Sequence, residues 1–285
     1  MFVIIGTLVV IGAIVGGYLL EHGNLLVLLQ PAELLIIGGS ALGTLLIANP
    51  GHIIFSIFRI IPQTLRGERY TKAYFVETLK MLYDFFVYIR RVGPAAAEAD
   101  VDDPASSSVL SQYPKLLADK HVQQFVCDTL RTHSSGTVLP FDLDQIMETD
   151  IEVQEHDRSV PVASLSTVAD SLPGLGIVAA VLGVVITMGS LGGPPEEVGA
   201  KVAAALVGTF LGILLCYGFV GPLAANMAKL NESEAHYYRV LRKGIAAFTK
   251  GIAPLISVEA ARRAIPQHVR PTYQEMDEAC RKPAA

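Results

Sequence analysis

Four uncharged stretches set the pattern of this chain, and two of them form its centre. SLPGLGIVAAVLGVVITMGSLGG (Ser171 to Gly193) has no charge between Asp170 and Glu196, and VAAALVGTFLGILLCYGFVGPLAANMA (Val202 to Ala228) has none between Lys201 and Lys229. Each covers the roughly 20 residues that cross about 30 Å of hydrocarbon. Neither shows the polar stripe at helical spacing that a soluble helix of that length carries. They predict two transmembrane helices joined by a short turn. Their polarity is limited to small hydroxyls (Ser171, Thr187, Ser190, Thr209) and Tyr217, groups that bond to a backbone carbonyl or a neighbouring helix. Pro173 and Pro222 stand near the ends of the two spans that face the same side of the membrane. Each frees a backbone carbonyl and is expected to bend its helix. Gly174, Gly176 and Gly183, then Gly208 and Gly212 in a G-x-x-x-G, permit backbone-to-backbone approach and predict an assembly interface, although glycine is also simply frequent in membrane helices.

The N-terminal region repeats the pattern. Phe2 to Leu20 is uncharged and lacks the positive n-region and small-residue cleavage site of a signal peptide, so it reads as an uncleaved first span. In PAELLIIGGSALGTLLIANPG, Pro31 and Glu33 mark a helix start and Asn49-Pro50-Gly51 a stop. The apolar core from Leu34 to Ala48 is short, and a tilted or kinked span could draw on HIIFSIF as far as Arg59.

Lys and Arg orient the spans. Eleven lie between Arg59 and Arg158, ten between Lys229 and Lys282, and only Lys201 elsewhere, which places those two segments in the cytoplasm with both termini. The expected fold is an all-α integral membrane protein with four transmembrane helices in two hairpins. Residues 1–58 hold helices 1 and 2, 59–170 a large helical cytoplasmic loop, 171–228 helices 3 and 4, and 229–285 a cytoplasmic C-terminal tail.

In the loop, Leu79, Leu82, Phe86 and Ile89 recur at helical spacing with charges between them. From Arg59 to Arg91 there are seven basic and three acidic residues; from Glu98 to Asp170, four basic and fourteen acidic. The basic half is expected near the membrane. GPAAAEADVDDPASSS between the halves reads as a turn-rich connection, and Phe141 to Pro161 as an acidic helix candidate whose charges form a solvated face.

Composition changes the picture only by exclusion. Half the residues (51%) are hydrophobic, 17% are charged, and the net charge of -5 carries no nucleic-acid footprint. Cys127, Cys216 and Cys280 suit neither a disulfide framework nor a zinc site, and the seven histidines lack ligand spacing. No phosphate-binding loop, dinucleotide fingerprint, nucleophile elbow or paired-carboxylate constellation is present, so no cofactor, metal or enzyme activity is implied. The spans hold no ionisable group: Glu21, Glu33 and Asp170 fall at expected boundaries, where a carboxylate is ordinarily solvated. If the helices serve an ion path, the titrating group comes from another chain.

The opening GxLVVxGxxxGGYLL, the QPAELLIIGG of the second span, DSLPGLGIVAAVLGVV of the third and VGTFLGILLCYGFVGPL of the fourth resemble the MotA family, the A subunits of the bacterial flagellar stator. The more distant TolQ and ExbB energiser subunits resemble the third and fourth spans, and a TolQ- or ExbB-like energiser of envelope transport is the alternative function. The resemblance implies an inner-membrane homo-oligomer, a pentamer, around a MotB-like single-span partner that supplies a transmembrane aspartate. Proton flow would then drive torque on the rotor. By the same resemblance Pro173 and Pro222 couple ion passage to a conformational step, Thr209 and Tyr217 face the pathway or the partner helix, and Arg90 and Glu98 contact the FliG rotor protein. Sodium-driven relatives carry a hydroxyl where this chain has Ala179 and Ala180, which favours protons.

Overall fold

The charge-free runs become long helices. In the computed structural model, which describes residues 2–67, 69–189, 192 and 194–281, the described residues form helices and no strand. Four helices or helix pairs are long and apolar enough to cross a membrane. Ser190, Leu191 and Gly193, at the expected turn between the third and fourth spans, and Lys282 in the tail lie outside the described residues.

The chain divides into two units, Met1–Gly67 with Asp157–Leu230 and Glu68–His156 with Asn231–Ala285. In the first, α1 (Phe2–Leu20) is followed by a single turn, α2 (Leu25–Leu28), capped by Asn24, whose side chain accepts from the Leu26 N–H. Next comes α3 (Pro31–Ala48), with proline in its first turn, where the missing N–H costs nothing. It ends at Asn49, whose side chain donates to the Leu45 carbonyl at 3.0 Å and accepts from Ser164 Oγ at 2.6 Å.

Pro50 then forces extended backbone, and a separate helix, α4 (Gly51–Arg66), begins. The second span therefore does not continue through HIIFSIF. That stretch is amphipathic: Ile53, Ile54, Ile57, Ile60 and Ile61 pack against Leu45, Leu165, Ala224 and Met227, while Phe55 and Phe58 are exposed.

In the second unit, α5 (Lys72–Val92) is capped by Thr71, which accepts from the Tyr74 N–H, and ends at Gly93, where φ is +90°. Its stripe of Phe75, Leu79, Leu82, Phe86 and Ile89 is buried, and Phe86 stacks on Phe248 at 4.2 Å. Full burial of such a side chain stabilises by about 1.5–3 kcal/mol. The turn-rich connection contains one short helix, α6 (Glu98–Asp102), and is followed by α7 (Pro114–Leu117) and α8 (Lys120–Ser134).

Two helices contribute residues to each unit: α9 (Pro140–Met188), and the run of α10 (Pro195–Leu214), a π-helical turn (Leu215–Val220) and α11 (Gly221–Thr249). The third span thus has no separate start at Ser171. Pro161 and Pro173 lie inside α9, leaving the Asp157 and Ala169 carbonyls without their usual helical donors. The chain closes with α12 (Pro254–Ala264) and α13 (Tyr273–Arg281).

The acidic start of α9 is more than a solvated face. Arg242 on α11 donates to Asp144 at 2.6 Å and Glu148 at 2.7 Å, and Arg239 reaches Glu155 at 2.5 Å. With its side chain 12% exposed, Arg242 sits where water screens the pair poorly. Arg242→Ala should lower the stability of the second unit by about 1–3 kcal/mol by leaving two carboxylates facing each other unpaired. Thermal unfolding of the detergent-purified protein checks this, and an unchanged midpoint would contradict it.

Candidate functional site

The membrane-type hairpin of α9 and α10 closes on glycine. A Cβ on Gly212 would lie 2.6 Å from the Leu172 carbonyl oxygen and 2.8 Å from Gly176 Cα, and one on Gly176 would lie 2.9 Å from the Gly208 carbonyl oxygen. Real side chains do not fit at such distances, so the two backbones touch directly. The assembly-interface reading is corrected for Gly176, Gly183, Gly208 and Gly212, since all four are consumed inside one chain. Gly174 is exposed, with nothing within 4 Å of the space a Cβ would take.

This contact sets the expected pathway residues. Ala179 is fully buried; its Cβ and the Ala180 N–H nitrogen each lie 3.2 Å from the Cβ position of Gly208. Ala180 is half-buried, as is Thr209, the neighbour of Gly208. Pro173 is half-buried beside Leu172, the residue against Gly212. The structure therefore gathers Pro173, Ala180 and Thr209 along one helix pair. It does not bring Tyr217 into that contact: its side chain is 72% exposed.

Pro222 lies just beyond the π-helical turn, and is exposed. A proline ring clashes with the carbonyl four residues back, here that of Gly218, and a wider turn relieves the clash. The Gly221 N–H donates to the Cys216 carbonyl five residues earlier, and a Cβ on Gly221 would stand 2.9 Å from that oxygen. The Gly-Pro pair explains the π turn; helical periodicity alone does not reveal it.

Glu33 is the residue that sequence reasoning missed. Far from being solvated at a boundary, it is 7% exposed, on the first turn of α3 against α9 and α10. The signal was an acid in an otherwise uncharged apolar helix; its place at the helix start made it read as a solvated boundary carboxylate.

Arg90 and Glu98 are both exposed in the second unit and form no ion pair among the described residues. Each suits its place, a cation in the last turn of α5 and an anion in the first turn of α6. A cavity of about 310 Å³ beside Arg90 is lined by Ile89, Pro94, Phe248 and Ile252, with His133 on its wall. Burial lowers the His133 pKa from its usual value, so the ring is neutral at pH 7 and Arg90 supplies the cavity's charge. No cluster that could hold a metal ion exists among the described residues.

Comparisons with known proteins agree on the family. The chain matches the model of the motility protein A N-terminal region over residues 4–93 and that of the MotA/TolQ/ExbB proton channel family over residues 117–240. It is 39% identical to Motility protein A of Escherichia coli (strain K12) over 281 residues, 99% of this chain and 95% of that one. Its fold is similar to that in the structure of C. jejuni MotAB (TM-score 0.76, 17% identity, 93% of this chain and 95% of that one). It is also similar to that in the flagellar MotAB stator complex from Bacillus subtilis (TM-score 0.75, 21% identity, 97% and 98%).

Two glycine substitutions separate packing from general tolerance. Gly212→Ala must push backbone from backbone and should destabilise the purified protein by about 1–3 kcal/mol. Gly174→Ala meets open space and should be neutral or stabilise the helix by up to about 1 kcal/mol. Equal melting of the two variants would contradict the direct backbone contact.

Proposed function

The chain belongs to the motility protein A branch of the MotA/TolQ/ExbB proton channel family, and from that membership we propose that it is the ring-forming subunit of a flagellar stator. In this reading a MotB-like single-span partner completes a proton channel, and proton flow becomes torque on the rotor. The observation that carries it is the likeness to Motility protein A over 99% of the chain. The N-terminal match over residues 4–93 favours a stator over a TolQ- or ExbB-like energiser.

A proton crossing hydrocarbon needs a group that binds and releases it, and that group is a partner's aspartate held between the helices. Protonation removes its charge, and the cost of holding it in a low-dielectric cleft falls by about a few kcal/mol. That is enough to change the packing of flexible helix segments. Pro173 and Pro222 lie where few backbone bonds have to break, and the π turn before Pro222 loosens the second of these places further. Ala179 and Ala180 carry no side-chain oxygen of their own, which supports protons over sodium.

The Lys and Arg distribution supports cytoplasmic termini and a cytoplasmic location for residues 59–170 and 229–285. Exposed Arg90 and Glu98 would then meet complementary charges on FliG, guiding docking while contributing little to folding. The exposed apolar side chains of α9, among them Ile177, Val181, Val185 and Ile186, fit lipid, a partner helix or further copies in a pentameric ring.

Liposomes holding the chain alone should show no proton flux above background, and co-reconstitution with the partner should produce it. Flux from the isolated chain would overturn the shared channel. In cells, Arg90→Glu or Glu98→Lys should impair swimming while flux and assembly persist, with charge reversal on the rotor restoring motility; unchanged swimming at low and high salt would remove the docking role.

A further inference from the structure

Between α3, α9 and α10 one carboxyl group is buried without a partner. Glu33 is 7% exposed, and among the described residues its Oε2 has no hydrogen-bond partner. Oε2 lies 2.7 Å from where a Cβ on Gly208 would stand, and Oε1 lies 3.4 Å from that of Gly183. The two glycines therefore open the notch in which the carboxyl sits. Gly208 also touches Ala179 and Ala180, so the group lies beside the path residues already described.

Its surroundings offer nothing to neutralise it directly. The adjoining part of α9, from Ser171 to Met188, has no ionisable side chain, and neither has α2 or the rest of α3. On α10 the charged residues are Glu196, Glu197 and Lys201; Lys201 shares the helix face of Ala205 and Gly208 and pairs with Glu197 at 2.9 Å. An ionised carboxylate in the first turn of a helix ordinarily faces water or accepts from a free N–H. Here Oε2 is shut away from solvent and accepts from no N–H among the described residues, and taking up a proton is the simplest way to remove the charge.

We propose that Glu33 is a second proton-carrying residue of the channel, one that loads a proton from the water at the end of the membrane where α3 begins and releases it past Ala180 and Thr209 toward the partner's carboxylate. Each cycle binds one proton on a carboxylate oxygen and gives one up, so nothing else is consumed. This rests on the stator reading and deepens it: the partner supplies the site where transport is coupled to movement, and this chain supplies the site that feeds it.

The test uses the full chain with its partner in cells lacking their own stator, with bead rotation read from mildly acid to mildly alkaline external medium. Glu33→Gln should cost roughly tenfold in torque on the alkaline side, where free protons are scarce, and much less on the acid side. Glu33→Asp should keep most of the torque, and both variants should still co-purify with the partner. Equal torque from Glu33→Gln and the unsubstituted chain at every pH would overturn the proposal. So would an equal loss at every pH shared by Glu33→Asp, which would mark a packing role. Failure of the stator reading looks different, because the unsubstituted complex would then give no rotation at any pH.

Discussion

The structure depends on two backbones touching. Gly176 against Gly208 and Gly212 removes the side-chain layer that normally separates helices, and in lipid, where apolar burial drives little association, van der Waals contact of this kind is what holds a helix pair. Its consequences spread outward. The contact brings the Ala179 and Ala180 level of α9 beside Thr209, leaves the notch filled by Glu33, and turns the bulky side chains of α9 away from the hairpin. A single added methyl group in the seam disturbs all three.

Beyond the seam the two ends of the long helices obey different physics. In the apolar unit, proline and glycine govern where the backbone yields, as the π turn before Pro222 illustrates. In the second unit charge and aromatic packing take over. Arg242 and Arg239 hold the acidic start of α9, Phe86 stacks on Phe248, and Tyr237 is fully buried with its hydroxyl 3.2 Å from Thr78 Oγ1. The polar ends of α5 and α6 carry the exposed Arg90 and Glu98 on this well-packed base.

Much of this was legible from residue patterns, and the exceptions are instructive. Absence of charge identified the spans, the stripe from Leu79 to Ile89 identified α5, and Asn49-Pro50 marked a stop that the structure honours more strictly than the apolar run after it suggested. Chain order could not say which helix a glycine meets, so Gly208 and Gly212 read as an interface between subunits when their partner is α9. Glu33 looked like a boundary acid because one sequence shows a helix start but not the neighbouring helices that cover it. Pro173 seemed close to a helix end because the charge-free run begins at Ser171, whereas the helix itself begins at Pro140; neighbouring helices make an interior proline tolerable there.

The glycine seam is held fixed, and the backbone yields outside it, at Pro173 and at the π turn that precedes Pro222. Amide hydrogen exchange of the full chain in a bilayer separates the two regions. Exchange should be slow for the amides of residues 176–183 and 205–212 and markedly faster from Tyr217 to Leu223, where the bonds close a wider π turn and Pro222 brings no N–H. Equal protection across both stretches, or faster exchange in the seam than in the π turn, would contradict it.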